Sequence, residues 1–388
     1  MDLRFTAGDE EFRREVRGWL AGNLRGEFAR LVDSGGPGRE HEDYDARLAW
    51  ERRLGEAGWI GLGWPASRGG RGASLTRQVI FHEEYAKAGA PARVNHMGEQ
   101  LLAPTLIAFG SAGQCDRFLP GIRRGEQMWC QGYSEPGAGS DLAGVQTRAV
   151  PDGGQWVITG QKVWTSLAQF ADWCFVLART GPERHKGLSY LLVPMRQPAI
   201  DIRPINQLTG TSEFNEVFFD GAVTAADNIV GQPGDGWRVA LGTLAFERGV
   251  ATLGQQIGFL RELDRVIAAA RASGAMDDPA LRDRIVDMWI DLRVMRYTAL
   301  RMLGSAGASG AEASISKLLW GTWHQRLGEL AMDVAGPAAG VLPAAPYELS
   351  DAQRLYLFTR SDTIYGGSNE IQRNIIAERM LGLPRDRA

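Results

Sequence analysis

The chain has 388 residues, 44% of them hydrophobic and 23% charged, with a net charge of -3; this is globular composition, enough for two or three cores of ordinary size, and it excludes extensive disorder. No apolar run reaches the roughly 18 residues that cross a bilayer, and the opening stretch MDLRFTAGDEEFRREVRGWL is too charged for a secretory signal, so no membrane span and a cytoplasmic location are expected. No block of Lys and Arg supplies the footprint that phosphate backbones require, which argues against nucleic acid as a partner.

Phe12, Val16, Trp19 and Leu20 recur at helical spacing, and the pattern returns in DYDARLAWERRLGEAGW and AGQCDRFLPGIRRGE. Residues 1–125 therefore read as an N-terminal helical domain. After about Met128 the segments GQWVITGQKVWTS, ADWCFVLART, GLSYLLVPM and FNEVFFDGAV are short and rich in Val, Trp, Phe and Thr, and Gly, Pro and Asp separate them. They define a middle β-barrel domain, residues 126–235. From Gly236 helical periodicity resumes over 236–272, 279–305, 309–335 and 350–383, which predicts a C-terminal helical bundle, residues 236–388. The fold class is thus multidomain α and β, in the order helical, β, helical. Cys115, Cys130 and Cys174 are odd in number and set in apolar sequence, which favours packing over disulfides.

Several motifs fail on inspection. HEEYA at His82 has Ala86 where a zinc site needs its second His, and the other histidines are scattered, so no metal is expected. GYSEPG around Ser134 has Pro136 where a nucleophile elbow needs Gly. Neither a P-loop nor a G-x-G-x-x-G fingerprint is present.

Three stretches carry more. WCQGYSEPGAGSDLAG, residues 129–144, is a loop of glycines and small hydroxyls that can present backbone N–H groups to a ligand. GQKVWTS, residues 160–166, ends a β segment with Trp, Thr and Ser, a flat face beside hydroxyls. DTIYGGSNEIQRNIIAERMLGLP sets Gly366 and Gly367 before Ser368 and a helix. Taken singly, the first and third fit an interdomain turn and a helix junction equally well, and the second is more often plain barrel packing.

Together, in order and spacing, the three resemble the acyl-CoA dehydrogenase family of flavoproteins, over nearly the whole chain. The resemblance implies FAD as cofactor, with the Tyr133 backbone and Ser134 hydroxyl at the flavin pyrimidine ring, Trp164 against the isoalloxazine, and Ser166 bonded to flavin N5. It puts Ser140 on the CoA portion of the substrate and Ser368 and Glu370 at FAD-contacting positions. Family chemistry removes an α-proton with a carboxylate base while the β-hydride moves to flavin N5, giving a trans-2-enoyl thioester. Many members carry the base directly after the turn tyrosine, where this chain has Gly366. A minority carry it on a C-terminal-domain helix before an Arg, and LAFERGVA matches that pattern. Glu247 is then the base, with Arg248 and Gly366 facing the substrate; the plain alternative is a structural Glu247–Arg248 ion pair.

The family's R-x-x-F-G segment is missing, leaving Arg271, Arg282 or Arg284 to meet the FAD pyrophosphate. The implied partners are an acyl-CoA or acyl-carrier thioester, an electron-transfer flavoprotein or other acceptor, and a homotetramer, homodimer or heteromer. Two alternatives stand beside the dehydrogenase reading: an oxidase or monooxygenase on the same scaffold, and a non-catalytic subunit of a heteromeric dehydrogenase.

Overall fold

The structure, a computed structural model, describes residues 5–247, 251–304, 312–341 and 348–385. Five helices come first: α1 (Ala7–Asn23), α2 (Tyr44–Glu56), α3 (Leu75–Lys87), α4 (Ala103–Phe109) and α5 (Ala112–Arg123). The strands follow as β1 (Trp129–Gly132), β2 (Arg148–Asp152), β3 (Gln155–Ser166), β4 (Trp173–Arg179), β5 (Leu188–Pro194), β6 (Ile200–Pro204), β7 (Phe214–Ala225) and β8 (Ile229–Val230). Helices then return as α6 (Gly236–Glu247), α7 (Ala251–Ser273), α8 (Pro279–Gly304), α9 (Glu312–Ala335), α10 (Asp351–Thr359) and α11 (Asn369–Ile375). Helical and β segments thus alternate as the periodicities require. No helix among the described residues is long and apolar enough to cross a membrane.

The chain forms two compact units, Met1–Ala21, Leu75–Gly89 and Arg248–Ala388 in one, Gly22–Ser74 and Ala90–Glu247 in the other. In the first, Phe259, Leu263 and Val266 of α7, Met288 and Leu292 of α8, and Trp323 and Leu327 of α9 share one core, the i, i+3, i+4, i+7 stripes that bundle helices bury. Ion pairs tie α1 to α3 in this unit. Arg13 meets Glu83 at 3.0 Å and Glu84 at 2.9 Å, and Arg296 of α8 meets Glu83 at 2.7 Å. The acidic pair of the HEEYA segment is therefore held by arginines.

The second unit is built on one eight-stranded sheet ordered β6-β7-β3-β2-β4-β5-β8, with β1 added in parallel to β4. Strands β4 and β5 are apolar on both faces because both are covered. Phe175, Leu177, Tyr190 and Leu192 join a core with Phe118, Trp129 and Val239, while Cys174, Val176, Leu191 and Val193 join Cys130, Val217 and Phe219 on the other side. All three cysteines are free and buried. Helix α6 belongs to this unit. Gly236 approaches β5 so closely that a Cβ would stand 2.5 Å from Ser189 Cα, and Thr243 meets Thr105 of α4, hydroxyl to hydroxyl, at 2.9 Å.

One expectation needs correction: 350–383 is not a single helical segment. α10 stops at Thr359, a turn intervenes, and α11 begins at Asn369; within that turn Gly366 and Gly367 take left-handed φ of 65° and 87°, through which no right-handed helix can run.

Candidate active site

The glycine-rich loop and the end of β3 are fastened by a buried ion pair. Lys162 Nζ donates to Glu135 Oε1 at 2.8 Å and to the Tyr133 carbonyl at 3.0 Å, and both charged groups are buried. Glu135 also accepts from the N–H groups of Gln146 and Thr147 at 2.6 and 2.9 Å, so one carboxylate gathers both ends of the loop. Burial pushes the Lys162 ammonium down to about 8 against the attraction of Glu135. Burial also works against the Glu135 carboxylate, but Lys162 and the donors around it hold it below the ordinary carboxylate value. With two acceptors for the ammonium and three donors for the carboxylate, this is a geometry in which a buried pair survives desolvation.

Gly160 has a packing reason. β3 passes so near Thr147 that a Cβ at Gly160, whose φ is 153°, would lie 2.6 Å from Thr147 Cα, and backbone cannot retreat as a side chain does. Replacing Gly160 with Ala should therefore cost about 2–4 kcal/mol from overpacking and backbone strain. Chemical denaturation of the variant would read it as a lowered midpoint at unchanged slope, and an unchanged midpoint would refute the close approach.

The same fastening sets the loop against the strand end that carries Trp164 and Ser166. Ser134 is half-buried and its carbonyl accepts the Val163 N–H at 2.9 Å, while the Tyr133 ring turns inward, edge-on to Phe175 and Tyr190. Register between β3 and β7 shifts between Lys162 and Thr165, and at this bulge Trp164 takes φ 61°. A non-glycine residue in that region costs of order 1–3 kcal/mol and is found where surroundings demand it. The result is an indole left 57% exposed, edge to Phe214, with half-buried Ser166 two residues on. Thr165 Oγ1, between them, is buried with no hydrogen-bond partner among the described residues. An exposed indole face flanked by small hydroxyls and loop amides suits a flat, hydrogen-bonding heteroaromatic cofactor, so the residues fit the flavin that the sequence implied. Ser140 is exposed and adjoins Asp141, which pairs with Arg184 at 2.6 Å.

Sequence reading missed a carboxylate cluster beneath this strand end. The Glu213 carbonyl accepts the N–H of Leu167, itself at φ 54°, and its buried carboxylate takes hydrogen bonds from Thr211 at 2.6 Å, from Gln207, and from His41 at 3.2 Å. Glu40 lies beside it, and burial together with the Glu213 charge pushes it up to about 8. The pair thus favours a proton on Glu40. Only folding brings these distant positions together, so no local signal existed.

In the other unit, the turn after α10 carries Gly366 and Ser368, and Glu370 lies in the first turn of α11. Gln372 Nε2 donates to the carbonyls of Gly366 and Gly367 at 3.1 and 3.0 Å. Ser368 caps α11 by accepting from Ile371 N–H at 3.4 Å, so its hydroxyl already serves the chain. Glu370 is exposed, 3.7 Å from Arg373. Of the three arginines considered for a pyrophosphate, Arg284 is engaged with Asp333 at 2.7 Å, whereas Arg271 and Arg282 are exposed. Glu247 is the last residue of α6; its side chain, and Arg248 altogether, lie outside the described residues.

Comparison with known proteins fits this geometry. Family models for the acyl-CoA dehydrogenase N-terminal, middle and C-terminal domains match residues 6–126, 130–222 and 234–381. Acyl-CoA dehydrogenase IpdE1 of Mycobacterium tuberculosis is 62% identical over 380 residues, covering 97% of this chain and 98% of its own. Among solved structures, the Tcur3481-Tcur3483 steroid ACAD is 31% identical with a TM-score of 0.86 and full coverage of both chains. The ChsE4-ChsE5 complex from Mycobacterium tuberculosis is 32% identical with a TM-score of 0.82, covering 99% of this chain and 100% of that one. The chain therefore belongs to the acyl-CoA dehydrogenase family of oxidoreductases.

Proposed function

We propose that the chain catalyses FAD-dependent α,β-dehydrogenation of an acyl-CoA thioester to the trans-2-enoyl thioester, with Glu247 as base. The observation that carries this reading is the fastening of the Ser134 loop to the Trp164–Ser166 strand end by Lys162 and Glu135. It holds an exposed indole, two hydroxyls and loop amides on one side of the unit, which is what binding and orienting an isoalloxazine demands. FAD, when bound, supplies the hydride acceptor. Glu247 takes the α-proton as the β-hydrogen leaves with its electron pair, so one proton and one hydride depart and a C=C bond forms. Arg248 and Ser140 bind the substrate, and Ser368 and Glu370 contact the cofactor. Domain boundaries near residues 125 and 235 follow from the same reading.

For the acyl group we propose a bulky, polycyclic chain. Gly366 leaves the family's usual base position without a side chain, and one relative is described as a steroid ACAD. Electrons then pass to an electron-transfer flavoprotein or equivalent acceptor. In an anaerobic titration across acyl-CoA thioesters, a steroid-bearing thioester is expected to bleach the flavin at least about tenfold faster than straight medium chains, a gap of roughly 1.4 kcal/mol in transition-state binding. Preference for the straight chains would contradict the assignment.

A second reading has its own support. Two structural relatives are named as pairs of chains, which favours assembly with a second dehydrogenase-type chain and admits a non-catalytic role for this one. Flavin bound by the purified chain alone, or by its complex only, separates the two.

A further inference from the structure

His324 sits alone in the sequence, on α9, yet in the fold both of its ring nitrogens are bonded to carboxylates. Nδ1 lies 2.7 Å from Asp362 Oδ2 and Nε2 lies 2.6 Å from Glu262 Oε2. A neutral imidazole has one N–H, so two carboxylate acceptors require the imidazolium. Asp362 opens the turn that carries Gly366 and Ser368, and Glu262 belongs to α7. The ring is buried, against Phe259 at 4.5 Å between centroids.

The rest of α9 grips the same turn. Lys317 donates to the Asp362 carbonyl. Gly321 allows the close approach, since a Cβ there would stand 2.9 Å from that carbonyl oxygen. Gln325 reaches Thr363 Oγ1 at 3.2 Å. Positions 317, 321, 324 and 325 follow the i, i+4, i+7, i+8 spacing of one helical face. Asp362 uses its second oxygen to accept from the Tyr365 hydroxyl at 2.6 Å. His324 is thus the charged centre of a chain running from α7 through α9 to the tyrosine directly before Gly366.

We propose that His324 is a positioning residue, a doubly protonated clamp that ties Asp362 of the turn to Glu262 of α7 and so fixes the Tyr365-Gly366-Gly367-Ser368 segment. Two adjacent glycines at positive φ cannot hold such a turn by their own backbone preference, so the order must come from outside it. The proposal rests on the reading above only in assigning that segment to the cofactor and substrate site.

Burial disfavours the His324 charge, but Glu262 and Asp362 outweigh it and raise the imidazolium to about 10; Lys317, the cation also facing Asp362, does not reverse this. Because the folded value exceeds the unfolded one, the stabilisation is complete below about pH 6.5 and is lost as pH rises towards 10.

The test uses the holoenzyme. With 15N-histidine label, both His324 ring nitrogens are expected to show the protonated pattern, without titration, from pH 6 to 9. A neutral tautomer at pH 8 overturns the clamp. In hydrogen exchange, His324→Gln is expected to speed the amides of 361–369 about tenfold while β4 and β5 stay unchanged. Glu262→Gln, which removes the partner less buried than Asp362, is expected to speed them by a smaller factor and covers the case in which the first variant does not fold. Unchanged exchange in the turn, or an equal rise throughout α7, α8 and α9, overturns the proposal. If turn exchange rises while FAD release does not, the clamp stands and the assignment of the turn to the cofactor site falls.

Discussion

Replacing Lys162 with Met is expected to destabilise the protein by about 3 kcal/mol and to strip it of the proposed FAD. The side chains are of similar volume, so the cost is electrostatic. Glu135 would remain buried beside an apolar group, and removing one member of a buried pair costs roughly 3–5 kcal/mol. The lower end applies because Glu135 keeps its bonds from Gln146 and Thr147. The Tyr133 carbonyl also loses its donor. The 133–147 loop then comes away from β3, and the proposed flavin contacts at Ser134 and Ser166 separate. Adding Glu135→Gln to Lys162→Met removes the orphaned charge, so the double variant should be more stable than the single one. Thermal melts and the visible absorbance of the purified variants check this. Additive losses, or full flavin retention in Lys162→Met, would show that the pair does not hold the loop.

The helix, strand, helix order was legible because each period is local: α1 shows its buried face as Phe12, Val16 and Leu20, and β4 and β5 declare themselves as unbroken apolar runs. The three stretches proposed to hold the flavin stood out as residue types. Their fastening did not, because Lys162 and Glu135 are separated by 27 positions and each looks like an ordinary surface charge. The left-handed Trp164 comes from a bulge set by pairing with β7, which periodicity does not encode. Apolar positions after Ser350 continue at helical spacing through the turn, so a single segment was the natural reading; two adjacent left-handed glycines overruled it. Glu40 beside Glu213, and His324 between two acids, come from distant parts of the chain and become visible only in three dimensions. These are the sites where buried charge depends on tertiary partners, which local sequence does not report.

Gly366 bears on the base as well. Its φ of 65° lies in the region where a side chain is strained, so restoring a glutamate there would cost about 1–2 kcal/mol. Glu247 is the proposed base, and replacing it with Gln keeps shape while removing the base. Loss of a positioned general base lowers the chemical step by about 10²–10⁴-fold. Gln is nearly isosteric with Glu, so binding of the thioester should change little, and the loss should fall on kcat. The decisive measurement is anaerobic stopped-flow bleaching of the flavin by a steroid-bearing acyl-CoA, in the wild-type protein and in Glu247→Gln. Rapid bleaching in the first and a rate at least about a hundredfold lower in the second is the expected result; equal rates in the two would contradict it.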